Sequence, residues 1–274
     1  MTAREDWQGR TGEGWAGEWR RTDRSFGGLT ERLLAGTRAF SFRHALDIGC
    51  GAGELSLALA RGYPHARVVG VDVSPSLLAA ARSRGENISN VEFELADAAQ
   101  WHPADDFTPQ LLISRHGVMF FSDPPAAFAN LASFAAEHAG LLFSCFRGRS
   151  ENPVFTEVGS LLPAPPEPAD PYAAGPFAFA ERDHVSAILT DGGWTNVAFE
   201  PFDFAMVTGA GDDPVEDAMS YFQKIGPAAG ALRELDQARR EEILAGLREI
   251  VTDHCRDGVV ALRAATWIVT ARRA

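Results

Sequence analysis

One short stretch of this chain concentrates residue types that do chemistry at a fixed spacing. Asp47-Ile48-Gly49-Cys50-Gly51-Ala52-Gly53 sets an acid two residues ahead of a GxGxG loop, and a second acid, Asp72, follows 19 residues after Gly53. Glycines at that spacing allow a tight turn from a strand into a helix and let a ligand approach the backbone closely. An acid at the end of the following strand is placed to accept hydrogen bonds from both hydroxyls of a ribose. A plain tight turn remains the alternative for the loop, and a plain strand-end acid for Asp72.

The loop acid separates two nucleoside ligands. A pyrophosphate, as in NAD, would be repelled by Asp47 and asks for GxGxxG, whereas Glu54 stands at the later glycine position. S-adenosylmethionine carries an ammonium and a sulfonium and no phosphate, so Asp47 favours it. A third acid, Asp97, follows the third strand, where it can simply cap its own turn.

These residues need a scaffold of alternating strands and helices. Apolar runs predict strands at His44–Ile48, Arg67–Val73, Val91–Leu95, Leu111–Ser114 and Leu141–Phe146. Helices are expected at Glu54–Arg61, at Pro75–Arg84 behind an N-cap Ser74, and at Pro124–Glu137. Such alternation means βαβ units and a parallel sheet. His116 follows the fourth strand, where an imidazole either takes a proton from a hydroxyl or amine nucleophile or merely fills space. Beside it, Arg115 either holds a substrate carboxylate or pairs with an internal acid.

Beyond Arg147 the texture changes. The Pro/Gly-rich segment 148–179 reads as too irregular for a helix or central strand. A helix at Glu181–Thr190, a strand at Val197–Val207, helical patterning over 213–256 and a final strand at Val259–Ala271 follow. The expectation is a doubly wound, Rossmann-like α/β sheet of seven strands with the last antiparallel. It divides into an aromatic N-terminal helical cap (1–40), an α/β core (41–209), a helical lid inserted before the final strand (210–257) and that strand (258–274).

The stretch 45–147, with LDIGCGAG, VVGVDVS and ELADAAQ in order, resembles the class I S-adenosylmethionine-dependent methyltransferases. WQGRTGEGW, SRHGVMFFSDPPAAFANL, GPFAFAERDHV and TWIVTARR are similar to a bacterial subgroup akin to the ubiquinone/menaquinone methyltransferases. The resemblance implies methyl transfer to a small-molecule acceptor by in-line displacement, leaving S-adenosylhomocysteine. It implies that Gly49 and Gly51 pack under the methionine moiety, with Asp47 orienting its ammonium through the loop backbone or a water. Asp72 would take the ribose hydroxyls, Val73 the adenine face, Asp97 the adenine amino group and the Ala98 N–H a ring nitrogen. Ser114 would offer backbone near the methionine end, and Trp7 and Trp15 would close over the cofactor or simply cap the sheet. The chain departs from the family at His138-Ala139-Gly140, which replaces a PGG turn, and at His116, which replaces an aromatic. The Asn/Asp-Pro-Pro-Tyr motif of nucleic-acid amino-methylating enzymes is absent from that position.

Composition narrows the partners. Twenty-five Lys+Arg against 37 Asp+Glu leave a net charge of −12, which repels nucleic acid and anionic membranes. Three scattered cysteines, with no CxxC and no clustered histidine, argue against a zinc site and a disulfide framework. A polar start and no long apolar run point to a cytoplasmic protein without a membrane span. Homo-oligomerisation is open. Two other functions stay open as well: a S-adenosylmethionine-binding sensor or assembly factor without transfer chemistry, and an NAD-dependent oxidoreductase.

Overall fold

A computed structural model describes residues 4–104, 106–163 and 170–274. Its centre is a sheet in the order β3-β2-β1-β4-β5-β8-β6. The parallel strands are β1 (His44–Ile48), β2 (Arg67–Asp72), β3 (Val91–Leu95), β4 (Leu111–Arg115) and β5 (Gly140–Phe146). The long β8 (Val259–Arg273) runs antiparallel between β5 and β6 (Trp194–Ala210). A two-residue strand, β7 (Cys255–Arg256), turns back onto the start of β8. Among the described residues the sheet therefore has eight strands where seven are expected. The extra one forms because Asp257 and Gly258 both take positive φ and fold the chain into a tight hairpin.

The strand runs are apolar because both faces are covered. β5 is buried at every position and β2 at all but its first, the pattern of central strands under helices on both sides. β3, at the edge, has no fully buried position and leaves Leu95 exposed. The helices between them are α5 (Glu54–Gly62), α6 (Pro75–Gly85), α7 (Pro124–Phe134) and, later, α9 (Arg182–Asp191). Ser74 and Asp123 accept from the backbone N–H groups of Leu77 and Ala126, each followed by a proline in the first turn. α7 stops at Phe134, three residues short of the expected end, because Ala135 is already extended.

Ahead of β1, α1 (Arg4–Gln8), α2 (Arg10–Gly17), α3 (Trp19–Ser25) and α4 (Gly27–Gly36) form the cap. Between β6 and β7 lie α10 (Pro214–Phe222), α11 (Pro227–Glu234) and α12 (Gln237–Asp253). The irregular reading of 148–179 fails at α8 (Pro153–Ser160), where Val154 and Val158 bury one face four residues apart behind a first-turn proline. Residues 164–169 of that segment lie outside the described residues.

The chain runs outward from β1 through β2 and β3, then returns to place β4 on the other side of β1. The strand order reverses there, and in open α/β sheets ligands bind beyond the strand ends at such a switch point.

Candidate active site

The glycine loop leaves β1 and bends at once over β2. The N–H groups of Gly49 and Cys50 both donate to the Val71 carbonyl, at 2.9 and 3.1 Å. Gly49, Gly51 and Gly53 all hold positive φ, at 67°, 54° and 83°. The three glycines then differ in what surrounds them. A Cβ on Gly49 would stand 2.9 Å from the Gly117 Cα, and one on Gly53 would press on Ala81 and Phe93, so both are glycine for packing. A Cβ on Gly51 would meet nothing within 4 Å. Gly51 is thus the open floor of the loop, where a ligand can lie directly on backbone.

Asp47 and Asp72 sit beneath and beside that floor. Asp47 is 1% exposed and accepts a 2.5 Å hydrogen bond from the Ser56 hydroxyl in the first turn of α5. Burial pushes its carboxyl up to about 6, against the opposing pull of Ser56. Asp72 accepts the Gly51 N–H on one oxygen and the Ser74 N–H on the other, both at 2.8 Å. Each oxygen retains a lone pair for a further donor. Burial raises this carboxyl as well, opposed by those backbone hydrogen bonds.

Val73 is half-buried on the same rim. The Ala96 N–H donates to the Asp72 carbonyl at 3.0 Å, which brings the end of β3, and with it Asp97 and Ala98, beside Asp72. One Asp97 oxygen accepts the Ala99 N–H at 3.0 Å, and Ala98 is buried. Asp97 therefore does cap its own turn while standing on the rim. Ser114 is fully buried; its hydroxyl donates to the Ile48 carbonyl at 2.7 Å and accepts the Gly117 N–H at 3.0 Å. The side chain locks the turn after β4 against the turn after β1, and its hydroxyl has both partners in the protein.

Trp7 and Trp15 belong to the cap and reach this end of the sheet through their neighbours. Their rings meet edge-to-face at 5.5 Å, and Trp7 meets Phe120, in the turn following β4, at 5.3 Å. Between them in sequence, Gly12 brings α2 so close to α6 that a Cβ would lie 2.3 Å from the Ser74 hydroxyl.

His116 holds φ +63°, a left-handed conformation unusual for a residue with a Cβ. Its ring stacks on Phe146 at 4.2 Å and meets Phe26 edge-on at 5.6 Å. Nδ1 lies 3.3 Å from the Ser144 carbonyl, and the solvent-sealed Nε2 has no hydrogen-bond partner. Burial, helped by the neighbouring Arg115, pushes its pKa down to about 3, so the imidazole is neutral.

Of the two readings open for Arg115, the structure displays internal pairing. Its guanidinium bonds to Glu54, donates to the Thr30 hydroxyl at 2.8 Å and lies 3.9 Å from Asp23. Asp23 also takes Arg84 at 2.6 Å, and Arg84 donates to the loop carbonyl of Ala52 at 2.7 Å while lying over the Trp19 ring. No sequence motif singles out Asp23, Ser56 or Arg84, and Glu54, read in the sequence only against an NAD loop, is the internal acid that pairs with Arg115. For Ser56 a signal existed, since it occupies the first turn of the helix that the loop opens; the long-range pairs carried none.

Residues 45–137 match the family model described as a methyltransferase domain. A trans-aconitate 2-methyltransferase of Variovorax paradoxus is 36% identical over 106 residues, 37% of this chain and 39% of that one. The chain thus spans about two fifths of the length of that relative. Among solved structures, YcgJ of Bacillus subtilis superposes with TM-score 0.54 at 15% identity, covering 91% of this chain and 97% of that one. Phosphoethanolamine N-methyltransferase 2 of Haemonchus contortus, with S-adenosylhomocysteine and phosphomonomethylethanolamine bound, gives 0.52 at 17%, covering 89% and 52%. At those identities the superpositions speak for a common fold.

Proposed function

We propose that this chain, whose residues 45–137 match a methyltransferase domain, is a class I S-adenosylmethionine-dependent methyltransferase acting on a small molecule. The observation that carries the reading is the open backbone floor at Gly51, flanked by Asp72 and underlain by the buried Asp47. A nucleoside whose other end is cationic fits that arrangement. The solved relative that holds S-adenosylhomocysteine on the same fold supports it.

When bound, S-adenosylmethionine supplies a methyl group already activated on a sulfonium. The residues of the chain bind and align. Asp72 offers its remaining lone pairs to the ribose hydroxyls, and Val73, Asp97 and Ala98 frame the adenine. Gly49 and Gly51 receive the methionine moiety, over the field of Asp47. The Ser114 hydroxyl holds the Gly117 turn in place beneath it. Trp7 and Trp15, carried by the cap, exclude water from above. His116, just past β4, is the candidate that would meet the nucleophile of the acceptor, as a neutral imidazole. Alignment and water exclusion of this kind are worth up to about 7–11 kcal/mol when geometry is good. Three free cysteines fit a reducing, cytoplasmic setting. No helix among the described residues is long and apolar enough to cross a membrane.

Calorimetric titration with S-adenosylmethionine, S-adenosylhomocysteine and NADH tests the reading. Micromolar binding of the first two and none of the third is expected. Binding of NADH alone, or of neither sulfur nucleoside, would overturn it.

A further inference from the structure

Ser56 lies in the first turn of α5 but turns its hydroxyl away from its own helix. A helical serine commonly returns its hydroxyl to a carbonyl of the preceding turn or points it to water. Here the fully buried Ser56 donates across to Asp47 Oδ2 of β1 at 2.5 Å. Gly70 of β2 keeps that place open, since a Cβ there would lie 2.9 Å from the Ser56 hydroxyl. The N-cap of α5 is Gly53, which has no side chain to offer the first-turn N–H groups. Asp47 takes over that role from the neighbouring strand and accepts the Ser56 N–H together with the hydroxyl. One residue thus grips the carboxylate twice.

The groups around Asp47 leave Ser56 the leading part in holding its charge. Burial favours the protonated form. Against it the Ser56 hydroxyl pulls hardest, ahead of Arg115 of β4 and the Ser56 N–H, while Asp72 of β2 works with burial. Cys50, in the loop above, is kept a neutral thiol by burial. Arg115 is engaged by Glu54 and has Asp23 beside it, so it is not free to take the place of a lost hydroxyl.

We propose that Ser56 is a positioning residue of the cofactor site: by fixing Asp47 as a carboxylate beneath the glycine loop, it sets the pH above which the chain captures the ammonium end of S-adenosylmethionine. The proposal rests on the methyltransferase reading and adds a control to the same site. Without the hydroxyl a buried carboxyl keeps its proton to higher pH, and a neutral Asp47 offers the ammonium no counter-charge. Gly51 and Asp72, which receive the rest of the nucleoside, are bonded to each other and not to Ser56. The effect should therefore appear only in ligands that carry the ammonium.

The test is calorimetric titration of the whole chain, in reductant, with S-adenosylhomocysteine and with 5′-methylthioadenosine, which keeps the adenosine and lacks the amino-acid end. Ser56, Ser56→Cys and Ser56→Ala step the donor from strong to weak to none at nearly constant size. In the wild type, affinity for S-adenosylhomocysteine should rise with pH through a midpoint of about 6. Ser56→Ala should move that midpoint up by about one to two pH units, the worth of one hydrogen bond to a charged group. Its affinity at pH 7 should then fall about twofold to tenfold and largely recover at pH 8.5, with Ser56→Cys in between. All three chains should bind 5′-methylthioadenosine alike at every pH. A wild-type affinity for S-adenosylhomocysteine that ignores pH, a midpoint unmoved in either variant, or a loss that extends equally to 5′-methylthioadenosine or persists at pH 8.5 would each overturn the proposal and leave the methyltransferase reading standing. Failure of the wild-type chain to bind either ligand would instead strike the reading itself.

Discussion

Because Asp47 is buried under the loop, its charge is costly until a cation arrives. Its folded pKa of about 6 lies above the ordinary carboxylate value, so the folded chain holds the proton more tightly than the unfolded one. Stability of the ligand-free protein attributable to Asp47 is therefore full below about pH 4 and lost as pH rises toward 6, by up to about 3 kcal/mol. Binding of a cationic ligand has the opposite sign, since only the ionised carboxylate attracts it. The dissociation constant for S-adenosylmethionine should be about tenfold weaker at pH 5 than at pH 7, and Asp47→Asn should flatten that dependence. Equal affinity at both pH values in the wild type would remove Asp47 from the binding site. Asp72 behaves differently, because both of its oxygens already accept backbone N–H groups. In Asp72→Asn the amide nitrogen must face the N–H of Gly51 or Ser74, two donors with no acceptor between them. This near-isosteric change should cost about 1–3 kcal/mol in urea unfolding and weaken S-adenosylmethionine binding as well. A variant of wild-type stability would show that those hydrogen bonds are not what Asp72 contributes.

At the scale of elements, the approach of α2 to α6 depends on one missing methyl group. A Cβ at Gly12 would stand 2.1 Å from the Trp7 carbonyl and 2.3 Å from the Ser74 hydroxyl, contacts no side chain can hold. Glycine to alanine inside a helix ordinarily stabilises by about 1 kcal/mol. Here Gly12→Ala should instead lift α1 and α2 off the site. Faster amide exchange confined to residues 4–17 and weaker S-adenosylmethionine binding are the expected readouts. Unchanged exchange with a higher melting temperature would show that the cap does not close on Ser74. What was legible in the sequence follows the same division. The strands β1, β2, β4 and β5 announce themselves because doubly covered strands must be apolar throughout, and the helix starts after Ser74 and Asp123 because capping is local chemistry. α8 was hidden behind prolines that also permit a helix first turn, and β7 is too short to show any period. The loop acids were legible because a glycine turn fixes their spacing. That Ser114 spends its hydroxyl on Ile48 and Gly117 was not, since it depends on how two separate turns meet.

At the scale of the molecule, two of the charged anchors that hold the cap differ in their consequences. One is Asp217 on α10, which pairs with Arg21 and Arg24 of α3 at 2.8 and 2.7 Å and accepts the Ala210 N–H at 3.0 Å. The other is Asp23 on α3, which pairs with Arg84 of α6 and faces Arg115 of β4. Both join segments far apart in sequence, which is why no motif revealed them. Loss of either carboxylate removes charge-assisted hydrogen bonds from partly buried arginines and leaves them their remaining partners, so each alanine variant should lose about 1.5–3 kcal/mol of stability. For a chain of this size that corresponds to several degrees in melting temperature. Their effects on binding should separate. Asp217 ties the cap to the inserted helices, and its removal leaves the loop contacts intact. Asp23 steadies the Arg84 guanidinium that holds the Ala52 carbonyl, so its removal reaches the cofactor floor directly. Asp23→Ala should weaken S-adenosylhomocysteine binding about tenfold, the equivalent of about 1.4 kcal/mol, while Asp217→Ala should leave it within about twofold at the same melting temperature. Equal losses of affinity in the two variants would mean that the cap acts on the site as one rigid body. A selective loss in Asp23→Ala would mean that the cap acts on the glycine loop chiefly through Asp23, Arg84 and the Ala52 carbonyl.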